Sequence, residues 1–523
     1  MLVSRKHKKL ILNLRDPERV TTIIPSARTM QYKGRTLVAV PHKLDEVRVL
    51  RNMGMDPPAP VSAYYGYPGH LKPFAHQRAT VEFLTTNPRA FCLNGMGSGK
   101  TISVLWAFDY LRKAGLVRRM LVISPLSTLE RAWGDEIFSN FPDMTFAVLH
   151  GTREKRHRLL AEDFDVYLIN HDGIKNAETV KALATRSELD LVVVDEVASF
   201  RNASTDRWRA ANALINGDPK RGFQPRNWAW GLTGTPIPNA PTDAWAQCRL
   251  IEPTTVPRYS GQFRDMVMRP VSKFKWVARE EALDIIHRCM QPAIRFARED
   301  CIDLPPTTYV TRQTELTDEQ KRAFDEMLRK LHTEHNGGQI TAANEAVKLS
   351  KLLQICSGVA YGANGEEVAL PATPRIHLVR EIIEEAEAKV LVFVPLTAPL
   401  KVVAAELGKH FSVAVVHGET SKTQRDQIFQ EFQQAKDPRV LVANSGTLSH
   451  GLTLTAADTV IWFAPIHSNE IYQQANARVT RPGQTRNTLI VNVEATPLER
   501  KIYARLQGKE RMQGLLLEML KGA

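Results

Sequence analysis

Nine short runs of β-branched and other apolar residues recur along the chain, each closing on a small or polar residue. "MLVISP", "DVYLIN", "LDLVVVDE" and "WAWGLTGTP" stand in the first half. "KVLVFVP", "SVAVVHG", "RVLVAN", "TVIWFAP" and "TLIVNVE" follow in the second. A run that is apolar without alternation is buried on both faces, and such strands belong to parallel sheets covered by helices. Helical patterns occupy the gaps between the runs, as βαβ units require. The two series are separated by a region of different character, so the chain reads as α/β with two parallel-sheet lobes.

The separating region, about Arg249 to Thr373, is helical in pattern. Thr317 and Gln320 in "TDEQ" form a capping box, and Phe324, Met327, Leu328 and Leu331 then share one face, as core packing asks. Pro-rich seams lie at "MDPPAPVSAYYGYPG" and "LPPTT". The expected domains are a small basic N-terminal domain or arm (1–65), a first lobe (66–250), a helical linker or insertion (251–375) and a second lobe with a C-terminal helix (376–523).

Lys plus Arg number 69 and Asp plus Glu 56, a formal charge of +13 over 523 residues. That excess suits a polyanion partner. The opening "MLVSRKHKKLILNLRDPERV" reads as a basic arm or edge strand, or as an arm that contacts phosphate. "RTLVAVPHKLDEVRVLRNMGM" reads as strand then helix, so residues 1–65 could recognise substrate, meet a protein partner or merely cap the fold. Five cysteines without a CxxC pair argue against a disulfide framework and a zinc site. No apolar run would cross a bilayer, and the start is too briefly apolar for a signal peptide. A reducing, cytoplasmic compartment, in a bacterium or a virus-infected cell, is the expectation.

"FCLNGMGSGKT" ends an apolar strand and opens a helix. Gly97 and Gly99 let backbone N–H groups approach phosphates, and Ser98 lies between them. Lys100 would neutralise phosphate charge, and the Thr101 hydroxyl would ligate Mg²⁺. The strict pattern wants Gly where Asn94 stands. In "LVVVDEVASFRN", Asp195 and Glu196 sit at the end of a buried strand, where α/β sheets place ligands. Asp195 can hold Mg²⁺ through water, and Glu196 can polarise the attacking water.

In this order and spacing the segments resemble the Swi/Snf-related ATPases, a branch of the superfamily-two helicases with two RecA-like lobes, over roughly residues 66–520. "LKPFAHQ" resembles the Q motif, which implies that Gln77 reads adenine. "GMGSGKT" is similar to motif I, "SPLSTLERAWGDEI" to motif Ia, "LINHDGI" to the next first-lobe motif and "DEVA" to motif II. "GLTGTPIPN" is similar to motif III, with Thr233, Gly234 and Thr235 as relays of closure. "VHGETS" resembles the segment after motif IV, "ANSGTLSHGLTLTAADTVIWFAP" motif V and "QQANARVTRPGQTRN" motif VI. Ala198 stands where the family usually has His, so coupling is expected to be wired differently.

Arg478 and Arg481 are three residues apart and would share a helical face. The resemblance implies that they meet the γ-phosphate of ATP when two lobes close, with Gln474 bonding to nucleotide or motif III. It also implies a DNA track along Ser124, Thr128, Gly151, His417, Gly418, Ser445, Gly446 and Thr447, small polar loops suited to phosphates rather than bases. Trp462 would stack on a base or, more simply, pack in the core. The resulting expectation is a DNA-dependent ATPase moving on duplex or branched DNA, to remodel forks, migrate branches or rewind strands. A strand-separating DNA or RNA helicase and a low-turnover ATP-gated clamp are the alternatives.

Overall fold

The computed structural model describes residues 1–272, 275–297, 304–335, 342–361, 367–448, 453–481 and 483–521. The chain divides into two compact units, Met1–Cys301 with Leu515–Ala523, and Ile302–Gly514. Cys301, residues 449–452 of the motif V segment and the Leu331 side chain lie outside the described parts.

The first unit opens with a small module. Strands β1 (Leu2–Ser4), β2 (Lys9–Leu12), β3 (Arg28–Tyr32) and β4 (Arg35–Pro41) form an antiparallel sheet in the order β1-β2-β4-β3. One face packs on the helices Pro17–Ile23 and Leu44–Asn52 through Leu10, Leu12, Val20, Val38, Val40, Val47 and Leu50. The strand-then-helix reading of residues 35–55 corresponds to β4 and the second of these helices. Arg51 fastens the module to the neighbouring helix Ala75–Thr86 through Glu82 (2.8 Å), and Arg48 Nε does so through the Thr86 carbonyl (2.8 Å).

The first lobe's sheet has seven parallel strands in the order β13-β5-β10-β9-β6-β8-β7. They are β5 (Arg89–Cys92), β6 (Arg119–Ser124), β7 (Phe146–Val148), β8 (Val166–Asn170), β9 (Leu189–Asp195), β10 (Trp228–Leu232) and β13 (Ala293–Ile294). Four of the runs singled out in the sequence are β6, β8, β9 and β10, and their centres are fully buried. A two-stranded ribbon, β11 (Met268–Ser272) with β12 (Lys275–Ala278), precedes β13.

The second unit has a six-stranded parallel sheet, β14-β21-β20-β17-β19-β18. The strands are β14 (Thr307–Gln313), β17 (Lys389–Phe393), β18 (Val413–Val416), β19 (Val440–Ala443), β20 (Ala457–Trp462) and β21 (Thr488–Glu494). Alternation along them feeds two cores. Leu391, Phe393, Leu441, Val460, Trp462 and Ile490 pack on one face. Val390, Val392, Val440, Val442, Ile461 and Val491 pack on the other. A small antiparallel ribbon, β15 (Val359–Tyr361) with β16 (Glu367–Ala369), completes the strands. The two-lobe α/β class expected from sequence is therefore the observed one.

The stretch 251–375 is less purely helical than its pattern suggests. Its strands β13 and β14 join the edges of the two large sheets. β14 is exposed along most of its length, so it carries no apolar run to announce it. The Thr317–Gln320 capping box is present, with Gln320 Oε1 accepting the Thr317 N–H (3.1 Å) and Thr317 Oγ1 accepting the Gln320 N–H (3.3 Å). Phe324 is buried in a local core.

A fully buried ion pair ties the second unit together. Arg375, at the start of the helix Thr373–Glu385, donates to both oxygens of Glu499 (2.7 and 2.9 Å). Glu499 Oε2 also accepts the backbone N–H groups of Ala495 (2.8 Å) and Thr496 (3.1 Å) at the head of the helix Pro497–Lys521. Another guanidinium N–H of Arg375 reaches the Phe463 carbonyl just after β20. Removing one partner of such a pair leaves an uncompensated buried charge. Arg375→Met is therefore expected to cost roughly 3–5 kcal/mol, read as a lowered urea midpoint for the second unit. Adding Glu499→Gln should recover more than half; equal losses for the single and double variants would contradict the coupling.

Candidate functional site

β5 ends at Cys92, and the chain turns tightly before the helix Lys100–Lys113 begins. Gly97 and Gly99 have φ of 79° and 78°, a region glycine enters without steric cost. Gly99 has a second reason to lack a side chain, since a Cβ there would meet Gln77 Nε2 at 2.2 Å. Gln77 is buried beneath the loop. Its Oε1 accepts the Phe74 N–H (2.9 Å), and its Nε2 donates to the Ser98 carbonyl at 3.4 Å. His76 Nε2 reaches the same carbonyl at 2.9 Å.

Asn94, the departure from the strict pattern, knits the loop to two neighbours. Its Nδ2 donates to Thr80 Oγ1 and its Oδ1 accepts the Phe296 N–H, both at 2.9 Å. Lys100 Nζ donates to the carbonyls of Asn94 (2.9 Å) and Gly95 (3.1 Å). Ser98 Oγ is buried and has no hydrogen-bond partner among the described residues. Thr101 follows in the first helical turn. Glycine-opened backbone, an orphan hydroxyl, a lysine and a helix N-terminus make a cradle that fits a chain of phosphates. Burial pushes the neighbouring Cys92 thiol up to about 11, so it stays protonated.

The acidic centre lies at the end of β9, whose register with β10 sets Asp195 beside Leu232. Asp195 Oδ2 accepts hydrogen bonds from Ser124 Oγ (2.9 Å) and the Trp133 indole N–H (3.1 Å). Ser124 Oγ lies 2.6 Å from Thr128 Oγ1. Trp133 comes from a π-helical turn, Leu129–Gly134, a geometry frequent at functional sites. His171 Nε2 bonds the Asp195 carbonyl at 2.9 Å, and burial lowers its pKa against that bond. Nε2 therefore carries the proton of a neutral ring.

Glu196 has φ of 50°, rare for a residue with a side chain. Thr233 Oγ1 donates to its Oε2 at 3.3 Å and also accepts the Thr235 N–H at 3.1 Å. A Cβ on Gly234 would lie 3.4 Å from Met96 in the phosphate loop. The β10 turn thus touches both the acidic centre, through Thr233 on Glu196, and the cradle, through Gly234 beside Met96, with Thr235 bonded to Thr233. Ala198 is fully buried in the short 3₁₀ turn behind it.

Two expected track residues move inward. Ser124 is fully buried and Thr128 is 7 % exposed: Ser124 donates to the Asp195 carboxylate, and Thr128 Oγ1 lies against Ser124 and reaches the Pro125 carbonyl (2.9 Å) rather than the surface. Gly151 is exposed, with φ of 110°. In the second unit, β18 and β19 are neighbours, so the loops after them form one rim. Asn444 holds it, donating from its backbone to the Val416 carbonyl (3.0 Å) and from Nδ2 to the Pro395 carbonyl (2.8 Å). Asn444 also accepts from Gly446 N–H (3.0 Å) and Thr447 Oγ1 (2.6 Å). Gly418 and Gly446 face solvent, His417 is half-buried, and Ser445 is buried.

The arginine pair does not lie on one helical face. The helix Asn469–Asn476 stops before Arg478, whose carbonyl accepts the Leu454 N–H (2.9 Å) instead of continuing the ladder. Pro482 in the sequence also forbids a continuing helix. Arg478 is 2 % exposed, and Arg481 Nε returns to the Ala477 carbonyl at 3.0 Å. Gln474 is buried. Trp462 is core, donating to Asn476 Oδ1 (2.9 Å) with its ring against Phe393 and Tyr472. Trp133, His171 and His76 were missed as individuals. Each stands inside or beside a quoted motif, but indoles and imidazoles in apolar surroundings read as core.

The family model for the SNF2-related domain matches residues 76–359, and that for the helicase conserved C-terminal domain matches 374–483. YwqA of Bacillus subtilis, whose name describes an ATP-dependent helicase/translocase, is 24% identical over 86% of this chain and 49% of its own length. Protein p41 of Acyrthosiphon pisum secondary endosymbiont phage 1 is 23% identical over 86% of this chain and 98% of its own. The ATP-dependent DNA helicase DDM1 of Arabidopsis thaliana is 22% identical over 81% and 58%. The chain thus spans about half the length of YwqA and nearly all of p41.

The Asp195 cluster makes its own test. Trp133→Phe deletes one donor to a carboxylate and shrinks a fully buried indole to a phenyl ring, so the expected cost in chemical denaturation is at least about 1.5–3 kcal/mol. Combined with Ser124→Ala, the losses should be non-additive; strict additivity would mean the two donors do not share Asp195.

Proposed function

Since this chain belongs to the SNF2-related domain family, with a helicase C-terminal domain after it, we propose that it is a DNA-dependent ATPase that translocates on DNA. The single observation that carries the reading is the phosphate cradle beside an acidic pair bridged to the β10 turn by Thr233. Gly97, Ser98, Gly99, Lys100 and Thr101 hold the phosphates, and Gln77, under the loop, orients the nucleotide end. Thr101 and Asp195 are the residues that would hold Mg²⁺, which neutralises phosphate charge when bound. Glu196 polarises water, and the link through Thr233, Gly234 and Thr235 makes its position sensitive to the neighbouring turn.

Arg478 and Arg481 are proposed as the cations for charge developing at the γ-phosphate, with Gln474 supporting them. Gly151, His417, Gly418, Gly446 and Thr447 are proposed contacts to the DNA backbone, and Ser445 shapes the turn that presents two of them. Backbone contacts carry no base code, as a motor on mixed sequence requires. Ser124 positions Asp195, and Thr128 supports Ser124. We further propose that the track is duplex or branched DNA and that the work is remodelling of forks or junctions. Strand separation is the second reading, favoured by the names of the helicase relatives.

ATPase rates with blunt duplex, single strands, a four-way junction and RNA decide between them. Duplex or junction stimulation without unwinding supports translocation; stimulation by single strands with unwinding supports the second reading. Lys100→Ala is expected to weaken ATP binding at least tenfold and abolish turnover in the same assay. Arg481→Ala should bind ATP normally yet lose roughly 10³-fold or more in rate; retained turnover would remove it from the reaction.

A further inference from the structure

We propose that a hollow in the first unit, bounded by the N-terminal module and the helix Lys100–Lys113, binds an unpaired DNA strand. The hollow encloses about 700 Å³, and its lining includes Tyr64, Tyr65, Tyr110, Lys8, Lys43 and Lys113. It lies outside every motif loop considered above, and the proposal holds whether or not the chain hydrolyses ATP.

The aromatic part is pre-ordered. The Tyr64 hydroxyl lies 2.9 Å from His42 Nδ1, and the Tyr65 hydroxyl donates to Asp109 Oδ2 at 2.7 Å. Tyr65 meets Tyr110 edge to face, with centroids 5.7 Å apart. Rings held by their hydroxyls lose little freedom on binding and offer faces on which bases can stack. The three tyrosines remain half-exposed.

The rim is cationic. Lys8 Nζ lies 6.0 Å from the Tyr64 centroid, and Lys113 Nζ lies 6.0 Å from that of Tyr65 while paired with Asp109 at 2.7 Å, which leaves Lys8 and Lys43 as the cations for phosphate. Lys8 and Lys43 are exposed, and Lys8 closes the basic turn "RKHK". The one acid on the lining, Asp45, is paired with Arg48 at 3.2 Å. Residues 1–65 hold twelve Lys and Arg against five Asp and Glu, which gives over half of the chain's +13 in an eighth of its length. Lysines beside fixed rings suit phosphates alternating with bases, and a paired duplex keeps its base faces within its own stack.

The test uses the full chain without nucleotide, and fluorescence anisotropy with a labelled thymidine oligomer, a blunt duplex of equal length and a poly-glutamate peptide. Lys8→Ala with Lys43→Ala should weaken oligomer binding about tenfold, leave blunt-duplex binding unchanged and reduce the salt slope by roughly 1.4. Tyr110→Ala should weaken the oligomer at least fivefold, and Tyr110→Phe should not. The lysine pair is on the surface, so its result stands even if Tyr110→Ala misfolds. Unchanged oligomer binding, an equal loss for blunt duplex, or a wild-type preference for the acidic peptide would each overturn the proposal.

Discussion

A strand buried on both faces has nowhere along its length to keep a polar side chain. Its backbone groups are consumed by its neighbours, and its side chains by two cores. Most inner strands of the two large sheets follow this constraint, while the edge strand β14 does not; it is shown most plainly where successive residues of β17, β19 and β20 feed alternate cores. Polar chemistry is thereby expelled to the strand ends. The phosphate loop follows β5, the acidic pair closes β9, the threonine turn follows β10, and the exposed glycines follow β18 and β19. Parallel strands share a direction, so these ends share one edge of each sheet.

At that edge the first lobe solves a second problem, the holding of carboxylates in a sheet of hydrocarbon. Asp195 is met by a hydroxyl and an indole, and its carbonyl by an imidazole. Glu196 pays for a left-handed backbone, and its oxygen is bridged to the β10 turn. Every one of these partners sits on a different element. The acidic centre therefore registers small shifts of β6, the π turn, β8 and β10 alike. Arg375 and Glu499 do the corresponding work in the second unit, where a charge pair joins two helix starts and a strand end.

Much of this was legible in the sequence because burial writes in long runs. All nine apolar runs are strands, and the glycine-rich loop and acidic strand end fall where their motifs placed them. What was illegible depended on partners distant in the chain. Ser124 looks like a loop hydroxyl until Asp195, some seventy residues on, claims it, and Thr128 follows by meeting Ser124. The spacing of Arg478 and Arg481 suggests a helix, but Pro at position 482 has no N–H to offer the Arg478 carbonyl, and the Leu454 N–H satisfies it instead. β14 is exposed and β13 has two residues, so neither leaves a hydrophobic trace.

The Lys100 ammonium rests on two carbonyls of its own loop. An incoming anion thus meets a cation already in company, and entry is an exchange of neutral oxygens for charged ones. The gain is the difference between the two sets rather than the whole of one. Departure is eased by the same amount, since the loop oxygens take the cation back.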